Sequence, residues 1–228
     1  AGTGITTAAL AIGGQPALAV TESWNGTNWT EVNDLNTGRD GVAGAGTTTS
    51  TLAFGGNPPI TGKTESWNGS SWTEVNDLTT ARASLGGAGT DNTSALAFGG
   101  DTGSYVTSTE EWNTGVPVGA FTTANSMNTA RSNIGSSNAG TQTSTITFGG
   151  VNGSPANYAN VITESYNGTN WTEVNDLNTG RSYLSGSGTG TAALAIGGYF
   201  GNPGNATNVA QWNGTNWTDV NALNTNGK

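Results

Sequence analysis

Glutamate and arginine recur together in this 228-residue chain at nearly constant spacing. Three pairs are 17 positions apart and a fourth is 21 positions apart: Glu22 and Arg39, Glu65 and Arg82, Glu164 and Arg181, and Glu110 and Arg131. Arginines could grip a substrate carboxylate, as in a sialidase, or each pair could be a structural ion pair. The matching places near the C-terminus hold Ala210 and Gly227, so both partners are lost together. Because an unpaired buried charge is costly, this joint loss predicts structural ion pairs.

A second set of acidic residues could serve glycoside hydrolysis, which needs two carboxyl groups flanking the scissile bond. The set is Glu31, Asp34, Glu74, Asp77, Glu173 and Asp176. These residues recur at two positions in three copies of the repeat, on a strand that we predict to be outermost. A solvated surface is therefore the better interpretation. Calcium held by Asp and Asn oxygens stays an open alternative, although no EF-hand spacing is present.

The chain contains no His and no Cys. The usual general base, the commonest transition-metal ligand and the thiolate are therefore missing. We accordingly predict that the protein is not an enzyme and carries no metal and no cofactor. The net charge of −9 argues against nucleic acid and anionic membranes as partners, since both attract clustered Lys and Arg.

No apolar run approaches the ~20 residues that span a bilayer, so we predict no membrane insertion. The run AALAIGG (residues 8–14) has the apolar character of a signal peptide. However, TAALAIGG occurs both at residues 7–14 and at residues 191–198, which predicts a repeat strand instead. A first residue other than Met indicates a processed or excised piece of a longer chain.

The segment WNGTNWTEVNDLNTGR (residues 24–39) organises the whole chain. It returns at residues 67–82 and 166–181, and in altered form at residues 112–131 and 212–227. Apolar runs that end in Gly-Gly alternate with these copies. Copies this similar predict one supersecondary module that stacks on its neighbours to bury a shared core.

Each module reads as four short antiparallel strands, which predicts a single five-bladed β-propeller. In the second unit the strands fall within residues 39–47, 50–56, 64–67 and 72–78. The blades are roughly residues 1–38, 39–81, 82–130, 131–180 and 181–228. We expect thin first strands around the axis, apolar second strands between blades, and Trp24 and Trp29 wedged between blades. Aligning Gly227 with Arg39 and Ala1 with Ala45 predicts that both termini share one innermost strand.

These landmarks resemble the Kelch repeat. They are Gly-Gly after an apolar strand, an aromatic residue after an acidic one, Trp five or six positions on, and Arg opening the next unit. The resemblance covers essentially the whole chain and implies a β-propeller. The sequence segment TESWNGTNWTEVNDLNTGR is also similar to Kelch-like arrays of marine phages and bacteria.

The loops after Gly-Gly differ in every unit, whereas the hairpin WNGTNW is nearly constant. Binding residues usually lie on such loops over a rigid scaffold, and exposed aromatic rings can stack on sugars or anchor a protein contact. The candidate ligand-binding residues are Tyr105, Tyr158, Tyr199, Phe200 and, at the rim, Lys63. We therefore expect a non-catalytic binding or structural module, extracellular or on a virion surface, that recognises a glycan or protein. A self-assembling fibre or decoration subunit is the alternative, and a propeller glycoside hydrolase is the third hypothesis.

Overall fold

The computed structural model of the protein describes residues 1–114, 119–153, 159–200 and 206–224. Over these residues it contains twenty β-strands in five four-stranded sheets, which confirms the predicted all-β propeller. No helix in this part of the chain is long and apolar enough to cross a membrane.

We number the sheets as blades one to five. Blade one comprises β1 (Gly2–Ile5), β2 (Ala8–Gly14), β3 (Leu18–Trp24) and β4 (Trp29–Val32). Blade two comprises β5 (Ala43–Thr47), β6 (Ser50–Phe54), β7 (Thr64–Trp67) and β8 (Trp72–Val75). Blade three comprises β9 (Gly86–Asp91), β10 (Ser94–Phe98), β11 (Thr109–Asn113) and β12 (Ala120–Ala124). Blade four comprises β13 (Gly135–Ser136), β14 (Thr145–Phe148), β15 (Thr163–Tyr166) and β16 (Trp171–Val174). Blade five comprises β17 (Ser185–Thr189), β18 (Ala192–Ile196), β19 (Val209–Trp212) and β20 (Trp217–Val220).

Every blade is an antiparallel meander in which strands pair in chain order. The first strands of all five blades line one central cavity of about 550 Å³. These inner strands are rich in glycine because the blades converge there. A Cβ added at Gly186 on β17 would lie 2.1 Å from the backbone oxygen of Ser136 on β13. At Gly87 on β9 it would lie 2.8 Å from the backbone oxygen of Gly44 on β5.

Neighbouring blades pack large apolar side chains against small ones. Leu52 and Phe54 of blade two share a buried cluster with Ala95 and Ala97 of blade three. Clusters of the same kind join blades one and two, three and four, and four and five. The aromatic residue near the start of the fourth strand is buried in each of these interfaces: Trp72, Phe121, Trp171 and Trp217.

Three of these aromatic residues also donate a hydrogen bond across the interface. The indole nitrogen of Trp72 lies 3.0 Å from the hydroxyl of Thr21 on the preceding blade. The same 3.0 Å contact joins Trp171 to Thr109, and Trp217 to Thr163. Three of the four interfaces therefore combine apolar burial with a satisfied polar group.

The faces between blades five and one are less well buried than these four interfaces. Trp29 of blade one is 48% exposed, whereas Trp72 at the same place in blade two is 6% exposed. On blade five, Leu194 and Ile196 are only half-buried. Val209 occupies the place of the threonines that accept an indole N–H, so blade five offers no hydroxyl to a tryptophan. The prediction that Trp29 is wedged between blades is therefore wrong.

The predicted alignment of Ala1 with Ala45 is wrong by two positions. Thr3 pairs with Leu10 as Ala45 pairs with Leu52, so Ala1 aligns with Ala43 rather than with Ala45. Gly2–Ile5 forms the first strand of blade one, and β20 of blade five is the last strand in the described part of the chain. That both termini share one strand therefore stays a prediction. Gly227 lies outside the described residues.

The close approach of the inner strands makes Gly186→Ala and Gly2→Ala a matched pair. The two glycines occupy the same place in their blades, yet the nearest atom to a Cβ at Gly2 is 3.6 Å away. We expect Gly186→Ala to lower the free energy of unfolding by about 2 kcal/mol, because backbone must shift to relieve the clash. Gly2→Ala should change it by less than about 0.5 kcal/mol. Denaturant unfolding measures the free energy of unfolding of both variants. Equal losses of this free energy would show that blades five and one pack together as tightly as blades four and five.

Candidate binding site

Four residues in the left-handed backbone conformation surround one end of the central cavity. Each lies two positions after a repeat arginine: Gly41 (φ 58°), Ser84 (φ 53°), Asn133 (φ 50°) and Tyr183 (φ 52°). Backbone hydrogen bonds link them from blade to blade. The N–H of Ser84 donates to the carbonyl of Gly41 at 2.8 Å, Asn133 to Ser84 at 2.9 Å, and Tyr183 to Asn133 at 3.0 Å. We call these four residues the collar.

The residue before each collar position pairs with the residue that follows Gly-Gly in its own blade. These antiparallel bridges join Asp40 to Asn57, Ala83 to Asp101, Ser132 to Val151, and Ser182 to Tyr199. The bridges anchor the start of each variable loop beside the collar. The described parts of these loops therefore lie at the same end of the propeller.

A cavity of about 500 Å³ lies at this end, and we call it the mouth. Its lining comes from all five blades: Gln15, Asp40, Gly41, Asn57, Ser84, Asp101, Tyr105, Asn133 and Tyr183. Amide and carboxylate groups supply hydrogen-bond donors and acceptors, and two tyrosines supply flat aromatic faces. No basic side chain is among these lining residues.

Of the predicted aromatic residues that the structure describes, one lies in the mouth. Tyr105 lines it, and Tyr199 is held next to Tyr183 by the bridge to Ser182. Phe200 is 38% exposed and does not line the mouth. Tyr158 lies outside the described residues.

Lys63 was predicted at the rim of the site, but its side chain points elsewhere. Its Nζ lies 3.2 Å from the Glu74 carboxylate and 3.3 Å from the Thr37 hydroxyl. Glu74 is on β8, the fourth strand of blade two, and Thr37 lies between β4 and β5. Lys63 therefore neutralises an outer-strand carboxylate and does not line the mouth.

Several mouth residues were missed by sequence reasoning, and Tyr183 is the most prominent. It is 66% exposed, and a bulky side chain at positive φ is uncommon. The signal was present in the repeat: the second residue after Arg differs in every unit, while the preceding LNTGR motif hardly changes. Asp40, Asp101 and Asn133 were missed because only aromatic and basic loop residues had been selected.

All four repeat arginines are buried, and three of them pair with glutamates, but not with the predicted partners. Arg39 contacts Glu65 at 2.9 Å, Arg82 contacts Glu110 at 3.1 Å, and Arg131 contacts Glu164 at 2.8 Å. Each arginine thus pairs with the glutamate of the unit that it opens, on the far side of the variable loop. The predicted pairs between Glu22 and Arg39, Glu65 and Arg82, Glu110 and Arg131, and Glu164 and Arg181 are wrong.

Each paired glutamate is held from both sides. In blade two, Oε1 of Glu65 accepts from Arg39, and Oε2 accepts from the backbone N–H and the amide of Asn36, both at 2.7 Å. In blade four, Oε2 of Glu164 accepts the same two bonds from Asn128 at 2.6 and 2.9 Å. Since Asn36 and Asn128 end the preceding blade, the glutamate joins two blades.

Because each paired arginine contacts the glutamate of the unit that it opens, Glu22 in the first unit has no repeat arginine beside it. Arg181 in the last unit has no repeat glutamate. Glu22 is exposed and makes no ion pair with a described residue. Arg181 is 1% exposed, and Ala210 stands where the other blades have glutamate. Burial lowers the pKa of all four arginines, and for Arg181 the opposing effect comes from Asp219. A guanidinium nevertheless stays charged at neutral pH.

The three aspartates considered for hydrolysis each accept a hydrogen bond from a backbone N–H of their own blade. Asp34 accepts from the backbone N–H of Thr21 at 3.2 Å, and Asp77 accepts from that of Thr64 at 3.1 Å. Asp176 does the same for Thr163 at 3.0 Å. Among the described residues, no group of three or more His, Cys, Asp or Glu side chains could hold a metal ion.

Comparison with known proteins adds no family. Protein-family models do not match the chain, and neither do curated proteins. The functional proposal therefore depends on the geometry of the mouth and of the blade faces.

Proposed function

We propose that the protein is a non-catalytic module that binds a neutral glycan in the mouth. One observation carries the proposal: all five blades contribute polar or aromatic side chains to one cavity, at repeat positions that differ from blade to blade. A site of this kind distinguishes ligands, because each blade supplies a different group. Glycans are displayed on surfaces, so the proposal includes an extracellular or virion-surface location.

The chemistry of the mouth favours sugar hydroxyls. Carboxylate oxygens of Asp40 and Asp101 accept hydrogen bonds, and the amides of Gln15, Asn57 and Asn133 both donate and accept. The rings of Tyr105 and Tyr183 can stack on the apolar face of a pyranose. Because the lining carries two carboxylates and no basic group, it disfavours acidic glycans.

Backbone strain at Tyr183 supports the same site. A non-glycine residue in the left-handed region costs roughly 1–2 kcal/mol, and such residues cluster at functional sites. Blade two has Gly41 at the same place, where this conformation carries no such cost. The side chain of Tyr183 is 66% exposed at this strained position, which favours a role in binding.

We further propose that the unit is Kelch-like and related to the Kelch-like arrays of marine phages and bacteria. The support is the structural role of its landmarks. Gly55 and Gly56 both have positive φ, and the N–H of Gly56 donates to the carbonyl of Arg82 in the next blade at 3.0 Å. A hydrogen bond thus joins the Gly-Gly pair of one blade to the Arg of the next, and both belong to the repeat pattern in the sequence.

Self-assembly is a second candidate function, favoured by the poorly buried faces of blades five and one. Blade five presents Leu194 and Ile196, and blade one presents Ala9, Ala11 and Trp29. These are the two kinds of face that pack together at the four internal interfaces. A second copy could therefore dock its blade five on blade one, and a heterologous contact of this kind continues into chains or rings.

Glycan binding is tested with Tyr183→Gly. Relief of the left-handed strain should raise the free energy of unfolding by about 1 kcal/mol, while loss of the ring should weaken binding about tenfold or more. The measurements are denaturant unfolding and retention on an array of neutral and acidic oligosaccharides. We expect the wild type to bind neutral members of the array.

Ala17→Gly is the matched control, since Ala17 also has positive φ (56°) but does not line the mouth. It should gain stability and keep the wild-type binding. Unchanged retention by Tyr183→Gly, or a wild type that prefers acidic oligosaccharides, would contradict the proposal.

Self-assembly is tested by sedimentation velocity over a range of concentrations. We expect association of the wild type, and its loss in Leu194→Arg and in Trp29→Arg, because each change places a charge on a face that must be buried. Thr73→Arg, on the exposed outer strand of blade two, should associate like the wild type. A wild type that is monomeric at every concentration would rule out this function.

A further inference from the structure

In blades two, three and four, a buried arginine and a polar residue before it hold the carboxylate of a glutamate. Blade five has the corresponding donor residues but no glutamate. The segment LNTGR at residues 177–181 is identical to residues 35–39. In the earlier copy, Asn36 and Arg39 together supply three hydrogen-bond donors to Glu65. The corresponding donors of blade five belong to Asn178 and Arg181.

The guanidinium of Arg181 is oriented like that of Arg39. Nη1 of Arg39 donates to the carbonyls of Gly55 and Lys63 at 2.8 and 2.6 Å. Nη1 of Arg181 donates to the equivalent carbonyls of Gly197 and Asn208 at 3.2 and 2.6 Å. Since one nitrogen is fixed in the same way, Nη2 faces the place where Glu65 has its carboxylate.

That place is occupied by a much shorter side chain. Ala210 pairs with Ala195 as Glu65 pairs with Ala53, so the two residues are equivalent in register. Ala210 is fully buried, and Leu177 beside it is 3% exposed. Among the described residues, Nη2 of Arg181 and both donors of Asn178 have no hydrogen-bond partner.

Comparison with the other blades indicates what is missing. Beyond Cβ, a glutamate side chain consists of a methylene and a carboxylate, and these are the heavy atoms of acetate. Asp219 pairs across the sheet with Ala210 and favours the charged guanidinium of Arg181, but no described carboxylate forms an ion pair with Arg181. A buried guanidinium is stabilised further when a carboxylate meets it through charge-assisted hydrogen bonds. Asn178 is exposed, so the site opens to solvent at that side.

We propose that blade five binds a small free monocarboxylate, of the size of formate or acetate, between Arg181, Asn178 and Ala210. The anion replaces the side chain that the other blades supply covalently. Oxygen atoms of the anion accept from Nη2 of Arg181 and from the two donors of Asn178. The site is separate from the mouth and does not depend on glycan binding.

The test is the melting temperature at constant ionic strength, with sodium acetate exchanged for sodium chloride up to about 0.1 M. Binding to the folded state should raise the melting temperature of the wild type by about 2–4 °C in a saturable way. Formate should act like acetate. Pivalate should have no effect, because its branched carbon does not fit the space of a glutamate side chain.

Three variants complete the design. Without acetate, Ala210→Glu should have a higher melting temperature than the wild type, and acetate should not raise it further. Ala210→Gln should also abolish the response to acetate, but its melting temperature should not exceed that of the wild type. Glu65→Ala creates the same vacancy in blade two and should be partly restored by acetate. Rescue of Glu65→Ala with no response of the wild type would overturn the proposal. Equal responses of the wild type and Ala210→Glu, or of acetate and pivalate, would also overturn it.

Discussion

The buried arginine that opens each unit is the interaction on which the propeller depends. The backbone of Arg82 donates to Thr61 and accepts from Gly56, both in the preceding blade. Its side chain reaches into its own blade, to the carbonyls of Ala97 and Ser108 and the carboxylate of Glu110. One residue thus fixes two sheets relative to each other. Removing one partner of a buried pair costs about 3–5 kcal/mol, which is large compared with the usual net stability of a domain.

This dependence explains why the repeat tolerates change in some places and not in others. The loop after Gly-Gly lies between an arginine and its glutamate, so it can vary in length while the pair closes it. The hairpin between the third and fourth strands carries the aromatic residue that fills the interface, and it is nearly constant. Variation is therefore concentrated at one end of the propeller, where the mouth lies.

Sequence reasoning predicted the blade count, the four strands and the presence of ion pairs, because periodicity and burial patterns report these directly. It chose the wrong partners because a constant spacing of 17 positions reflects the shared repeat and not a contact. The true partners are separated by variable loops, so their spacing is irregular. The strain at Tyr183 and the exposure of Trp29 depend on backbone angles and on the packing between blades five and one, which local patterns do not encode.

A pair of double-mutant cycles tests the pairing most directly. One cycle combines Arg39→Met with Glu65→Gln, and the other combines Arg39→Met with Glu22→Gln, with the free energy of unfolding measured for every variant. The structure predicts a coupling energy of about 2–3 kcal/mol between Arg39 and Glu65, and additive effects within about 0.5 kcal/mol for Arg39 and Glu22. Strong coupling of Arg39 to Glu22, together with additivity toward Glu65, would contradict this arrangement of the blades.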